Sequence, residues 1–151
     1  MIVLAEVSET RELAEKAVHF YWNAWGTPGN FNFYRDSILN SLDSNADLSK
    51  FYVALEGESI VGSVALLRND LISRQDLVPW LGCLYVLPEY RGFGLGGRML
   101  QFAVQEAGRK GYPYLYLSTS LEGYYEKYGW TYLDQAYSFN GDPARVYRKQ
   151  T

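Results

Sequence analysis

The chain has 151 residues, 48% hydrophobic and 21% charged, with a formal net charge of −3. That length supports one full hydrophobic core, so a single domain over residues 1–151 is expected, and the acidic balance offers no footprint for nucleic acid. One cysteine excludes an internal disulfide, one histidine excludes a His-rich metal site, and no apolar run approaches the ~18 residues of a membrane span.

The opening stretch MIVLAEVSETRELAEKAV lacks a basic leader and carries acids where a signal peptide is apolar, so the cytoplasm is the expected compartment. Ile2–Val7 reads as a strand. Thr10 then caps a helical pattern to about Trp25, with Leu13, Ala17 and Phe20/Tyr21 on one face and Gly26 closing it. Phe33–Leu42 reads as a second helix. Phe51–Leu55 and Ile60–Leu67 are strands joined by the hairpin turn EGES, followed by the irregular polar stretch NDLISRQDLVP. Trp80–Leu87 is almost wholly apolar, as in a strand covered on both faces. Leu95 to Lys110 is a helix with Leu95, Met99, Phe102/Ala103 and Ala107 on its apolar side. Tyr114–Leu117 is a strand, Leu121–Tyr128 a short helix, and Trp130–Phe139 with Ala144–Arg148 a closing hairpin around Asn-Gly. The order predicts an α/β fold of the α+β type: one mixed, mostly antiparallel sheet with a single βαβ crossover, flanked by helices.

Between the apolar strand and the third helix lies RGFGLGG, four glycines within six residues. Gly92, Gly94 and Gly97 satisfy the spacing of a dinucleotide fingerprint. That reading needs a domain-opening βαβ unit and an acid about 20 residues on. The loop instead follows an antiparallel region, and Ser118-Thr119-Ser120 occupies the acid's place. A strand–turn–helix whose backbone amides converge at a helix N-terminus remains, and such a point attracts a phosphate, with Arg91 adding charge.

VLPEYRGFGLGGRML resembles motif A of the GNAT superfamily of N-acetyltransferases, Arg/Gln-x-x-Gly-x-Gly/Ala, with Arg91, Gly94 and Gly96 in place. YYEKYGW is similar to a second segment of that family, through Tyr125, Gly129 and Trp130. The match covers about residues 51–133. The resemblance implies a GNAT-like fold and acetyl-CoA as donor, its diphosphate on the amides of Arg91, Gly92, Phe93, Gly94, Leu95, Gly96 and Gly97. It also implies a pantetheine arm along the backbone of Leu84, Tyr85 and Val86. Where the family often holds an Asn toward that arm, this chain has Ser118.

Acetyl transfer to an amine needs a proton acceptor, because an alkyl amine of pKa ~10 is protonated at neutral pH; it also needs a donor for the departing thiolate. Tyr125 is assigned as that acid. A backbone amide near Leu84 is placed to stabilise the oxyanion. No Asp or Glu lies within Trp80–Leu87; Asp76 reads as a solvated loop residue and His19 as a structural one, so no base is assigned. Cys83 lacks a neighbouring base and reads as a small hydrophobe. Phe20, Tyr21, Trp22, Trp25, Phe31, Phe33 and Tyr34 divide between core and an acceptor cleft suited to a cationic amine.

The expected activity is therefore an N-acetyltransferase carrying acetyl from acetyl-CoA to a primary amine, on a small molecule or a protein or peptide N-terminus, by direct transfer in a ternary complex. No metal, nucleic-acid or membrane partner is expected, and a homodimer is allowed. A non-catalytic acetyl-CoA sensor is the alternative from another class. A nucleotide-dependent oxidoreductase is the third reading.

Overall fold

Every predicted strand forms in the computed structural model, which describes residues 1–151. These are β1 (Ile2–Glu6), β2 (Lys50–Glu56), β3 (Ser59–Leu67), β4 (Trp80–Val86), β5 (Tyr114–Thr119), β6 (Thr131–Tyr137) and β7 (Pro143–Gln150). They make one seven-stranded sheet in the order β1-β2-β3-β4-β5-β7-β6. Only β4 and β5 run parallel, joined through helix α3 (Leu95–Arg109); every other neighbouring pair is antiparallel. The mixed sheet with one crossover is thus present. The closing hairpin enters it in reverse: the last strand, β7, slots between β5 and β6.

Two helical layers cover the sheet. On one side α3 buries Leu95, Met99, Leu100, Ala103 and Ala107 against Val64, Leu66, Leu81, Leu115 and Leu117. On the other, α1 (Ala14–Trp25) and α2 (Phe31–Ser41) bury Val18, Tyr21 and Ile38 against Phe51, Val53 and Ala65. A fully buried Leu, Ile or Val in these layers contributes about 1.5–3 kcal/mol of transfer free energy. The strand from Trp80 is apolar throughout because both of its faces are covered. No helix is long and apolar enough to cross a membrane.

Two expected elements differ. Thr10 does not cap a helix: its carbonyl accepts from the Leu13 amide at 2.8 Å and its own amide donates to Val7, so it links two 3-10 turns, and α1 begins only at Ala14. The helix expected over 121–128 shrinks to the 3-10 turn Tyr125–Tyr128. Gly123 stands at φ +85°, a left-handed conformation that no right-handed helix can pass through, and Thr119 Oγ1 accepts from the Leu121 amide to hold a bend there.

Tyr21 ties the α1 layer to the sheet. Its hydroxyl, fully buried, shares its one proton between the carbonyls of Tyr52 (2.8 Å) and Val64 (2.9 Å) and accepts from the Tyr52 amide (3.2 Å). Burial raises its pKa well above the ordinary phenol value, so it stays protonated. Tyr21→Phe is expected to lower unfolding free energy by about 1–3 kcal/mol, because buried backbone groups lose their partner; urea denaturation followed by tryptophan fluorescence measures it, and an unchanged midpoint would contradict this role.

Candidate active site

The parallel pair β4–β5 is joined at a single position, Trp80↔Tyr116. Beyond it the two strands separate, and the β4 edge facing β5 has no strand partner. The separation is reinforced by a bulge. Ser63 of β3 pairs with Tyr85 and Ala65 with Gly82, so Cys83 and Leu84 together face the single residue Val64. Cys83 takes φ +55° at this bulge, and Ser63 Oγ donates to its carbonyl at 2.9 Å.

A cleft of about 570 Å³ opens along this edge, lined by Leu84, Tyr85, Val86, Arg91, Gly92, Gly94, Leu95, Gly96, Gly97, Leu121, Tyr124, Tyr125 and Tyr128. Its far wall is the turn around Tyr125; its floor is the start of α3. The main-chain amides from Gly92 to Gly97, six in succession, donate to no acceptor in the protein: the first helical bond is Arg98 N–H to Gly94 O, and no side chain caps α3. Gly92 (φ +87°) and Gly94 (φ +83°) both hold the left-handed conformation that turns these amides toward one place. Gly96 and Gly97 serve a different end. A Cβ on Gly96 would meet the Tyr124 hydroxyl at 3.3 Å, and one on Gly97 would meet the Tyr128 ring at 2.6 Å, so these two let the tyrosine turn pack onto the helix start.

Arg91 folds back over the end of β4. Its Nε donates to the Val86 carbonyl at 2.8 Å and its guanidinium lies 5.3 Å from the Tyr85 ring centre, leaving the terminal N–H groups free beside the amides. Partial charges at the helix start, six free donors and one fixed cation together form an anion cradle.

Tyr125 packs edge-on against Tyr124 at 4.9 Å between centroids, with Trp130 and Tyr147 behind it. Its hydroxyl has no hydrogen-bond partner in the protein. Burial, and secondarily the nearby Tyr124, push it up to about 12, so the phenol is a proton donor at every working pH.

The structure therefore gathers Leu84, Tyr85, Val86, Arg91, Gly92, Gly94, Leu95, Gly96, Gly97 and Tyr125 around one cleft. Phe93 belongs to it through its main-chain amide alone, and Ser118 is left outside the lining. Phe93 is 85% exposed with its side chain turned to solvent, and Ser118 is half-buried on β5, opposite Val146 of β7. Leu121, Tyr124 and Tyr128 line the cleft without any sequence signal beyond their closeness to Tyr125. None of the N-terminal aromatics lines this cleft. Tyr21 is core, Phe20 and Trp25 stand edge-on to Tyr85, Phe31 packs between His19 and Trp22, and Phe33 is exposed.

Two candidates for proton chemistry resolve simply. Asp76 is held by Arg74 in a paired contact of 2.9 Å to each oxygen, which lowers its pKa below the carboxylate range; Asp76→Asn is expected to leave turnover unchanged in a thiol-release assay. The Cys83 thiol is pushed up to about 12 by burial and then by the charge of Asp70, which removes its thiolate at neutral pH.

A family model described as an acetyltransferase (GNAT) domain matches residues 47–132, more than half of the chain. No curated protein matches the sequence. Among solved structures, the chain is similar to aminoglycoside 6'-acetyltransferase type Ii (18% identity, TM-score 0.73, covering 98% of this chain and 96% of that one). It is also similar to a GNAT family acetyltransferase from Elizabethkingia anophelis with acetyl-CoA bound (16% identity, TM-score 0.68, 99% and 98% covered). A chain of the NatC complex bound to Gag peptide and CoA matches at 18% identity and TM-score 0.69, with 99% and 98% covered. At these identities the likeness concerns the fold.

Proposed function

The chain belongs to the acetyltransferase (GNAT) family, and from that premise we propose that it carries the acetyl group of acetyl-CoA to a primary amine, on a small molecule or a protein or peptide N-terminus. The observation that carries this reading is the run of free amides from Gly92 to Gly97 at the start of α3. The diphosphate of the donor sits on those amides and on Arg91. Its pantetheine arm follows the unpaired edge of β4 at Leu84 to Val86, adding hydrogen bonds as a further strand would. Similar structures that bind acetyl-CoA or CoA support the donor; one of them is an aminoglycoside acetyltransferase and another binds a peptide, so both amine classes stand.

Transfer is direct. The thioester carbonyl lies at the bulge, where a main-chain amide at Leu84 stabilises the charge that develops on oxygen. Tyr125 protonates the departing thiolate. A phenol near 12 is a weak acid toward a thiol in water, but burial that raises the phenol also raises any thiol desolvated beside it. The two remain matched. No enzyme-bound acyl intermediate is needed, because Cys83 stays a thiol and holding both substrates together supplies the acceleration.

Calorimetry with acetyl-CoA, paired with thiol release in the presence of primary amines, tests the reading. Binding and amine-dependent release are expected. A folded protein that ignores millimolar acetyl-CoA would overturn it, and binding without release for any amine would favour a sensor.

A further inference from the structure

We propose that Asp70 is the proton acceptor for the incoming amine and, with Tyr34 and Cys83, forms a subsite for a primary aliphatic ammonium on the face of β4 away from α3. The proposal rests on the acetyl-transfer reading above and adds the base that the apolar strand lacks.

Asp70 lies in the connection between β3 and β4. That connection is pinned rather than loose. Asn69 Oδ1 accepts from the Ile72 amide at 2.9 Å, the Ser73 amide donates to Tyr137 O at 2.8 Å, and the Tyr137 amide donates to Ser73 Oγ at 2.9 Å, bracing the loop on the closing hairpin. The Asp70 carboxylate is held against β4 itself. A Cβ built on Gly82 would meet Leu67 Cδ1 at 2.7 Å and the Asp70 Oδ1 at 3.1 Å, so the bare strand admits both side chains and the carboxylate lies directly against it. Gly82 immediately precedes the bulge at Cys83, and Leu84 follows two residues later, about 7 Å along a strand.

The carboxylate has no hydrogen bond and no ion pair from any protein group, and because no fully buried side-chain polar atom lacks a partner, its oxygens keep an opening through which a cation can reach them. Its neighbours are the Cys83 thiol on β4 and the Tyr34 phenol on α2; burial first, and its charge in addition, make both hold their protons more tightly. Desolvation alone raises Asp70 to about 6, with no cation or second carboxylate bearing on it. A half-buried, unpaired carboxylate beside an aromatic ring suits a cation that arrives with the substrate.

The sheet is open between β4 and β5 beyond Trp80↔Tyr116, so a donor lying against α3 and an acceptor on the opposite face meet at the bulge. The ammonium gives one proton to Asp70. The freed lone pair adds to the thioester carbonyl carbon, the C–S bond breaks with its electrons on sulfur, and sulfur takes the Tyr125 proton. The second proton lost by nitrogen returns through water to the tyrosine, and Asp70 releases its own to solvent.

Asp70→Asn and Asp70→Glu are compared with the native protein, using n-butylamine, 1,6-diaminohexane and a tripeptide with a free N-terminus as acceptors. For the native enzyme kcat/KM for the amine is expected to rise through an apparent pKa near 6 and then level, because the base form exists above that value. Asp70→Asn is expected to lose this limb and about 10²-fold in kcat at pH 7, to recover toward pH 10 as free amine is supplied by solution, and to bind acetyl-CoA within about twofold of the native protein. Asp70→Glu recovers part of the rate. A native profile that climbs through pH 9 toward the amine's own pKa, or an Asn variant with native rate and profile, overturns the proposal while leaving acetyl transfer intact. Failure of the native protein to bind acetyl-CoA or to turn over any amine overturns the reading on which it rests.

Discussion

Tyr125→Phe is expected to lower kcat by about 10²- to 10⁴-fold, the range of a lost general acid, while acetyl-CoA affinity changes by less than about twofold. The separation follows from the surroundings of the residue. The ring is fixed by Tyr124, Trp130 and Tyr147, and those contacts survive loss of the oxygen. The hydroxyl makes no hydrogen bond in the protein, so its removal orphans no partner and folding is undisturbed. The anchor proposed for the donor lies elsewhere, on the amides before α3. Because the phenol titrates near 12, its donating form persists throughout the neutral range, and the loss in the variant is expected to be uniform from pH 6 to 9. Single-turnover thiol release against calorimetric affinity measures both quantities. A variant with native kcat would assign the leaving thiolate's proton to solvent.

Gly94→Val is expected to weaken acetyl-CoA binding by about 30-fold or more. At φ +83° a β-branched residue costs about 2 kcal/mol, and the chain escapes by rotating this peptide. Nothing crowds the position, since no heavy atom lies within 4 Å of a Cβ built there. The damage is therefore conformational, falling on the amides whose convergence makes the cradle. The closest control is Gly111→Ala, at φ +92° beyond the other end of α3, which bears similar strain far from the cleft. If both variants bind acetyl-CoA as the native chain does, the diphosphate is not held by these amides.

The outline of this site was readable before any coordinates because the features that carry it are local. An anion cradle of main-chain amides needs glycine at left-handed positions and a helix directly after, and RGFGLGG followed by an amphipathic run states both within about 20 residues. The apolar strand from Trp80 and the helix from Leu95 are likewise written in periodicity, which depends only on neighbours along the chain. The four glycines were not separable in that way. Gly92 and Gly94 answer to backbone conformation, whereas Gly96 and Gly97 answer to Tyr124 and Tyr128, about 30 residues distant, and a one-dimensional pattern holds no record of that contact. The short helix expected over 121–128 failed for a related reason: apolar spacing was present, but Gly123 was already committed to a left-handed turn.

Asp70 is the clearest case of the limit. Along the chain it is one acid in a polar loop, no more conspicuous than Asp76, which the same loop ties to Arg74. Its desolvation and lack of a partner arise from packing against Gly82 and from a hairpin contributed by the far end of the chain. Composition, periodicity and turn chemistry were enough to specify the elements, their order and the glycine-rich bend before α3, since each is set by residues within a few positions of one another. The insertion of β7 beside β5, the gap that opens past Trp80↔Tyr116, and the surroundings of Tyr125 and Asp70 had to await the folded chain, because burial and electrostatic environment are properties of neighbours in space.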